Sequence, residues 1–182
     1  VIFAFFGVPG AGKTTLCRRF GELTGVPAID TDVFMTDEER RAAETGRYTQ
    51  EMRLANIARY AAHLRATVPP GGHAALADGL PAEEARRYLV TQFPPGDVVL
   101  VRVETPRPLW EQRLQARREN AVNLDIAAAE AYIARHWEEP QLPHERIVNG
   151  DDPAAVDAQL LALWQRYGQR RASKSGGAER PT

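Results

Sequence analysis

The chain has 182 residues, 43% of them hydrophobic and 26% charged, and a formal net charge of −1. That length suits one domain with a sizeable core, and the near-neutral balance excludes a global attraction to nucleic acid or to an anionic membrane surface. The lone Cys17 excludes an intramolecular disulfide and leads us to expect a reducing, cytoplasmic setting.

No apolar run approaches the roughly 20 residues that span a bilayer, so no membrane association is expected. The opening VIFAFF is shorter than a signal-peptide core and carries no basic flank. Without an initiator methionine, the numbering is expected to begin inside a longer chain or after its processing.

Residues 1–6 form a continuous apolar run of strand length, the pattern of a strand buried on both faces of a parallel sheet. A helix is predicted from Lys13 to Leu23, ending near Gly25 and Pro27. Ala28–Thr31 reads as a short second strand. Thr36-Asp37-Glu38-Glu39 is a capping box opening a polar helix that stops near Gly46. Thr49–Ala66 is a longer helix with Leu54, Ile57, Ala58, Ala61 and Leu64 as its apolar stripe.

Pro69-Pro70-Gly71-Gly72 breaks the chain before a third strand, His73–Asp78, and a helix at 82–93. VVLVRVE at 98–104 is the most β-branched strand. Helices are predicted at 108–119 and 125–138, a short strand at Arg146–Val148, and a last helix opened by Asp152-Pro153 and ending near Tyr167. About five strands alternating with helices imply a layered α/β domain with a parallel sheet over 1–168. The polar stretch 169–182 is expected to be a disordered tail.

The first strand runs into GVPGAGKT, a complete G-x-x-x-x-G-K-[ST] phosphate loop. Its expected cofactor-binding residues are Gly7, Pro9, Gly10, Ala11, Gly12, Lys13, Thr14 and Thr15. Glycines allow successive amides to turn inward as an anion nest, and the following helix adds the positive end of its dipole. Lys13 supplies a charge for the β- and γ-phosphates of ATP, and Thr14 a hydroxyl ligand for Mg²⁺. The chain lacks the Asn-Lys-x-Asp segment by which a GTPase reads guanine.

Asp30-Thr31-Asp32 follows the second strand. In an extended segment residues two apart face the same way, so both carboxylates are expected at the sheet's carboxyl edge, where open α/β sheets bind ligands. One carboxylate would hold a Mg²⁺-bound water while the other accepts a proton from an attacking hydroxyl. Asp78, closing HAALAD, is placed to orient the same hydration shell. Arg113 and Arg117 are four apart and share one helix face, with Arg118 adjacent. The four histidines show no metal-ligand spacing.

Strand–GVPGAGKTT–helix–DTD, with the later arginines, resembles the small P-loop kinases that phosphorylate metabolites. It is similar to gluconate and shikimate kinases and to related antibiotic-modifying, AAA-type small-molecule kinases. The likeness covers most of residues 1–165. It implies a three-layer, nucleoside-monophosphate-kinase-like fold with a helical lid at about 113–125. It also implies Asp32 as general base or substrate clamp, Asp30 and Asp78 on the metal side, and Arg53, Asp78 and Arg86 at the acceptor. Arg113 and Arg117 would be catalytic lid arginines that also touch ATP, and Asn149, with Gly150, would lie against adenine.

The resemblance implies transfer of the γ-phosphate of ATP to a hydroxyl of a small polar acceptor: a sugar, sugar acid, cyclitol or antibiotic-like molecule. A kinase of nucleotides or polynucleotide 5′ ends stays open, though no basic stripe interleaved with aromatics supports it and no nucleic-acid partner is expected. A non-catalytic nucleotide-binding regulator stays open too, as does the choice between monomer and homodimer.

Overall fold

The computed structural model describes residues 1–116 and 125–168. Arg117, Arg118, most of the predicted lid and the predicted tail lie outside the described residues.

Five strands form one parallel sheet: β1 (Ile2–Phe6), β2 (Ala28–Asp30), β3 (Ala74–Ala77), β4 (Val98–Glu104) and β5 (Glu145–Val148). Their spatial order is β2-β3-β1-β4-β5. β1 is therefore central, in register with β3 on one side (Ile2 opposite Ala74) and β4 on the other (Ile2 opposite Val98).

The helices are α1 (Lys13–Thr24), α2 (Asp37–Glu44), α3 (Gln50–Thr67), α4 (Glu83–Thr91), α5 (Arg107–Ala116), α6 (Ile126–His136) and α7 (Pro153–Tyr167). Every predicted strand and helix recurs among the described residues, with described ends that coincide or shift by one or two residues; the predicted end of the 108–119 helix lies outside the described residues. The exception in kind is Thr31–Asp32, predicted to continue or flank a strand, which belongs to a 3₁₀ turn, Thr31–Phe34.

The continuous apolar character of β1 has a plain cause, since both its faces are covered. Phe3 and Phe5 join Leu16, Phe20, Val101 and Leu160 in the layer beneath α1 and α7. Ile2, Ala4 and Phe6 join Ile57, Tyr60, Leu64 and Leu89 beneath α3 and α4. The α3 stripe is buried at Ile57, Ala61 and Leu64 as the 3.6 period requires, and it also contains Asn56 and Tyr60, which the sequence pattern left out. Cys17 is a core residue as read, its thiol pushed up to about 12, chiefly by burial.

A small third cluster, Trp110, Leu114 and Ala129, joins α5 to α6, with Arg107 bridging Glu111 and Glu130 across the same pair. Because all five strands are parallel, the segments that follow them leave at one edge. That edge carries GVPGAGKT after β1, the 3₁₀ turn after β2, Asp78-Gly79 after β3, Thr105 after β4 and Asn149-Gly150 after β5.

Candidate active site

The loop after β1 is held by its carbonyls. Trp110 Nε1 donates to the Pro9 carbonyl at 2.7 Å. Thr105 Oγ1 and Asn149 Nδ2 both donate to the Ala11 carbonyl, at 2.9 and 2.8 Å. Lys13 Nζ reaches the Val8 carbonyl at 3.0 Å. With these oxygens engaged, the loop is closed on its carbonyl side, and the Ala11 N–H adds a 3.2 Å bond to the Val8 carbonyl. Helix α1 begins at Gly12 with no side-chain cap and no acidic residue in its first turn, so its first-turn amides keep their capacity for an anion.

Two glycines are required by contact. A Cβ at Gly12, whose φ is +86°, would overlap Asn149 Nδ2, and one at Gly7 would come within 2.6 Å of the Val103 carbonyl. These features fit a bound polyphosphate.

Arg113 lies against the same loop. Its guanidinium donates to Thr105 Oγ1, the Asn149 carbonyl, Asn149 Oδ1 and the Gly150 carbonyl, at 3.2–3.4 Å. All four acceptors are neutral oxygens, and desolvation lowers its pKa. Arg113, in the last turn of α5, therefore ties Thr105, before that helix, to the loop after β5. Asn149, expected to lie against adenine, is a buried brace of the phosphate loop. Its N–H donates to the Glu104 carbonyl at 2.7 Å, its carbonyl accepts from Arg113, and its side chain holds Ala11.

The acidic edge is organised by the middle residue of Asp30-Thr31-Asp32. Thr31 is buried, its hydroxyl donating to the Ala77 carbonyl at 2.9 Å, and Asn56 Nδ2 donates to the Thr31 carbonyl at 3.4 Å. Asp30 Oδ1 caps the turn by accepting from the Asp32 N–H at 3.2 Å. The two carboxylates are thus neighbours through a capped turn, and the two-residue strand period proposed from sequence does not operate there. The local Asp-to-amide bond outcompetes a further strand residue.

Asp32 is accessible at the surface. Partial desolvation, then the Asp30 and Asp78 carboxylates, push its carboxyl above the ordinary aspartate range, while Lys13 and Arg40 pull it back. Asp78 is fixed at the end of β3: Tyr60 Oη donates to Asp78 Oδ2 at 3.0 Å, and the Leu80 N–H to Oδ1 at 3.3 Å. Leu80 has φ +40°, a left-handed backbone for a bulky residue that costs on the order of 1–3 kcal/mol. Its fully buried side chain and the 2.7 Å bond from Arg86 to its carbonyl hold it there.

Among the described residues no three His, Cys, Asp or Glu side chains converge on a metal position. That suits Mg²⁺, which commonly takes one or two protein ligands and completes its shell with phosphate oxygens and water. Thr14, at the first turn of α1, with Asp30 or Asp78, fits such a sparse set.

Arg53 reaches the same edge. Its guanidinium lies 4.9 Å from the Tyr48 ring centroid, and it donates to Tyr132 Oη at 3.4 Å. Arg86, expected at the acceptor, does not reach it. Arg86 is fully buried, with Nε on Glu83 at 2.9 Å, Nη1 on the Leu80 and Pro81 carbonyls, and Nη2 on the Glu138 carbonyl at 2.7 Å. A guanidinium so committed is a strut, and withdrawing it for a ligand would strand the buried Glu83 carboxylate. Arg117 and Arg118 lie outside the described residues.

A family model described as the AAA domain matches residues 2–140. The chain belongs to the AAA domain family. No curated protein sequence matches it significantly. Its fold is that of solved P-loop kinases. A gluconokinase from Sinorhizobium meliloti 1021 superposes with a TM-score of 0.74 at 18% identity, covering 95% of this chain and 96% of that one. An unliganded sugar kinase from Janibacter sp. HTCC2649 gives 0.70 at 21%, covering 91% and 92%. A shikimate kinase from Acinetobacter baumannii, in complex with shikimate, gives 0.57 at 16%, covering 93% and 94%. The AAA domain assignment and these superpositions agree with the three-layer P-loop fold expected from the sequence.

Within this AAA domain, the sequence reading missed the aromatic residues. Gly7, Pro9, Lys13, Gly79, Pro81, Tyr132, Ile133 and Trp137 line one cleft. Trp110 fastens the loop beneath it, and Tyr60 aims Asp78. No local motif marks these rings, because each acts on a segment at least 18 residues away in sequence.

Proposed function

We propose that the protein is an ATP- and Mg²⁺-dependent phosphotransferase acting on a hydroxyl of a small polar acceptor. One observation carries the reading: Lys13 and the carboxylates of Asp30, Asp32 and Asp78 interact at one edge beside a loop whose carbonyls are tied back. A phosphate loop alone serves many reactions. The acid cluster beside it is what an attacking hydroxyl requires. The structural neighbours, a gluconokinase and a shikimate kinase among them, support the same class of chemistry.

In this reading the loop amides and Lys13 hold the ATP phosphates, and Thr14 with Asp30 or Asp78 holds Mg²⁺, which supplies positive charge to the phosphate oxygens. Asp32 receives the acceptor's hydroxyl proton. The acceptor oxygen then forms a bond to the γ-phosphorus, the bond from that phosphorus to its bridging oxygen breaks, and ADP departs. An Asp32 carboxyl raised above the ordinary aspartate range by burial and by Asp30 and Asp78 is a better proton acceptor than an ordinary aspartate. Arg113 is the donor-side arginine, and Arg117 is proposed as its lid partner.

The experiment is ADP release from ATP and Mg²⁺ with and without sugars, cyclitols, amino sugars and sugar acids. Acceptor-stimulated release with a phosphorylated acceptor is expected. ATP hydrolysis that every acceptor leaves unchanged would overturn the phosphotransferase reading and favour a nucleotide-binding regulator.

A further inference from the structure

Asp32 is held by its backbone. It sits in the 3₁₀ turn Thr31–Phe34, between β2 and α2. Each peptide unit is planar, so the orientation of the two units that flank the Asp32 Cα fixes where its side chain points. Both units are tied. The Thr31 carbonyl accepts from Asn56 Nδ2 at 3.4 Å, and the N–H of the same unit goes to Asp30 Oδ1. The Asp32 carbonyl accepts from Arg40 Nη1 at 2.9 Å and from the Met35 N–H at 3.2 Å.

The end of this turn and the Asn56 amide meet at one guanidinium. Arg59 lies three residues after Asn56 on α3. It donates through Nε to the Phe34 carbonyl at 3.0 Å and through Nη2 to Asn56 Oδ1 at 3.5 Å. An arginine can only donate, so it draws the Asn56 oxygen toward itself and leaves Nδ2 directed at the Thr31 carbonyl. Arg59 is itself ion-paired with Glu39 of α2. That carboxylate is buried and also accepts from the Thr36 N–H at 2.7 Å.

These partners argue against a direct part for Arg59 in binding substrate. Its charge is matched by Glu39, and withdrawing it toward a ligand would strand that buried carboxylate. Its planar fork also suits three fixed oxygens on three segments, a task that a single ammonium cannot repeat. Tyr60, the next residue of α3, donates to Asp78 Oδ2 at 3.0 Å. One helix thus braces the turn of Asp32 and the side chain of Asp78 together.

We infer that Arg59 is a positioning residue for Asp32: anchored on Glu39, it holds the Thr31–Phe34 turn directly at Phe34 and through Asn56 at Thr31, and so aims the Asp32 carboxylate at the acceptor hydroxyl. This rests on the phosphotransferase reading and adds to it a brace that touches neither nucleotide nor acceptor.

The test is a double-mutant cycle read by acceptor-stimulated ADP release, with kcat taken per folded protein. Arg59→Ala should lower kcat about tenfold while the KM for ATP stays within about twofold, and Arg59→Lys should recover part of the loss. Asn56→Leu, close in volume but without the amide, should lower kcat in the same way. In an Asp32→Asn background, Arg59→Ala should cost less than about twofold more, because the group it aims is already gone. If Arg59→Ala fails to fold, Arg59→Lys and Asn56→Leu are carried through the same cycle. Unchanged kcat in these folded variants, or a loss that persists in full beside Asp32→Asn, would overturn the inference and leave the phosphotransferase reading standing. No stimulation of the parent protein by any acceptor would overturn both.

Discussion

At the end of β1, the carbonyls of Val8, Pro9 and Ala11 are each tied by a partner at 2.7–3.0 Å, and two glycines have no room for a Cβ. At the ends of β2 and β3 the construction differs. Asp30, Asp32 and Asp78 approach one another from separate segments, and two of them are positioned at a distance, through Thr31 on Ala77 and Tyr60 on Asp78. The phosphate loop is a local motif reinforced by its neighbours. The acidic edge is a meeting of long-range contacts.

That contrast is broken most severely at Lys13. Lys13→Ala should lower ATP-dependent transfer about a thousandfold, with the thermal midpoint nearly unchanged, since it removes phosphate stabilisation and little core. Full turnover in this variant would end the phosphate-loop assignment.

Arg86→Ala strikes the other half from beneath. It leaves Glu83 buried and opens the contacts to the Leu80, Pro81 and Glu138 carbonyls, so a loss of about 3–5 kcal/mol is expected in chemical denaturation. ATP affinity of the folded fraction, measured by calorimetry, should change little. If ATP affinity collapses while stability holds, Arg86 is no strut.

Asp32→Asn should reduce kcat about a hundredfold with much less effect on ATP binding. Because the folded state holds the Asp32 proton more tightly than the unfolded chain does, ionised Asp32 costs stability above its raised pKa. The Asn variant should therefore be at least as stable as the parent at neutral pH. A stability loss would point to a structural role.

The smallest effect is a shift in pH dependence. Activity should rise with pH through the raised Asp32 pKa. Asp78→Asn removes one of the like charges that raise it, so the acid limb of the kcat/KM profile should move to lower pH. Movement to higher pH would show that Asp78 does not act on Asp32 in this way.

Much of the molecule is local and could be read directly. A central parallel strand is apolar on both faces, so VIFAFF announces β1. A phosphate loop keeps its residues within eight positions, and the Thr36–Glu39 capping box is likewise closed on itself. The family match to residues 2–140 agrees with that reading.

What the sequence could not supply depends on which distant residues meet. Arg86 and Arg53 are both arginines on amphipathic helices, and nothing in their neighbourhoods marks one as a buried strut and the other as a partner of Tyr48 and Tyr132. Burial and partners separate them. Asn149 reads as a base contact until the fold sets its side chain on Ala11, 138 residues away. Tyr132 and Trp137 read as ordinary helix and loop aromatics until α6 is laid beside the phosphate loop. Chain-local chemistry therefore determined the phosphate loop. The cleft that Tyr132 and Trp137 line was decided by packing, because side chains far apart in the chain become neighbours only when the sheet and its helices assemble.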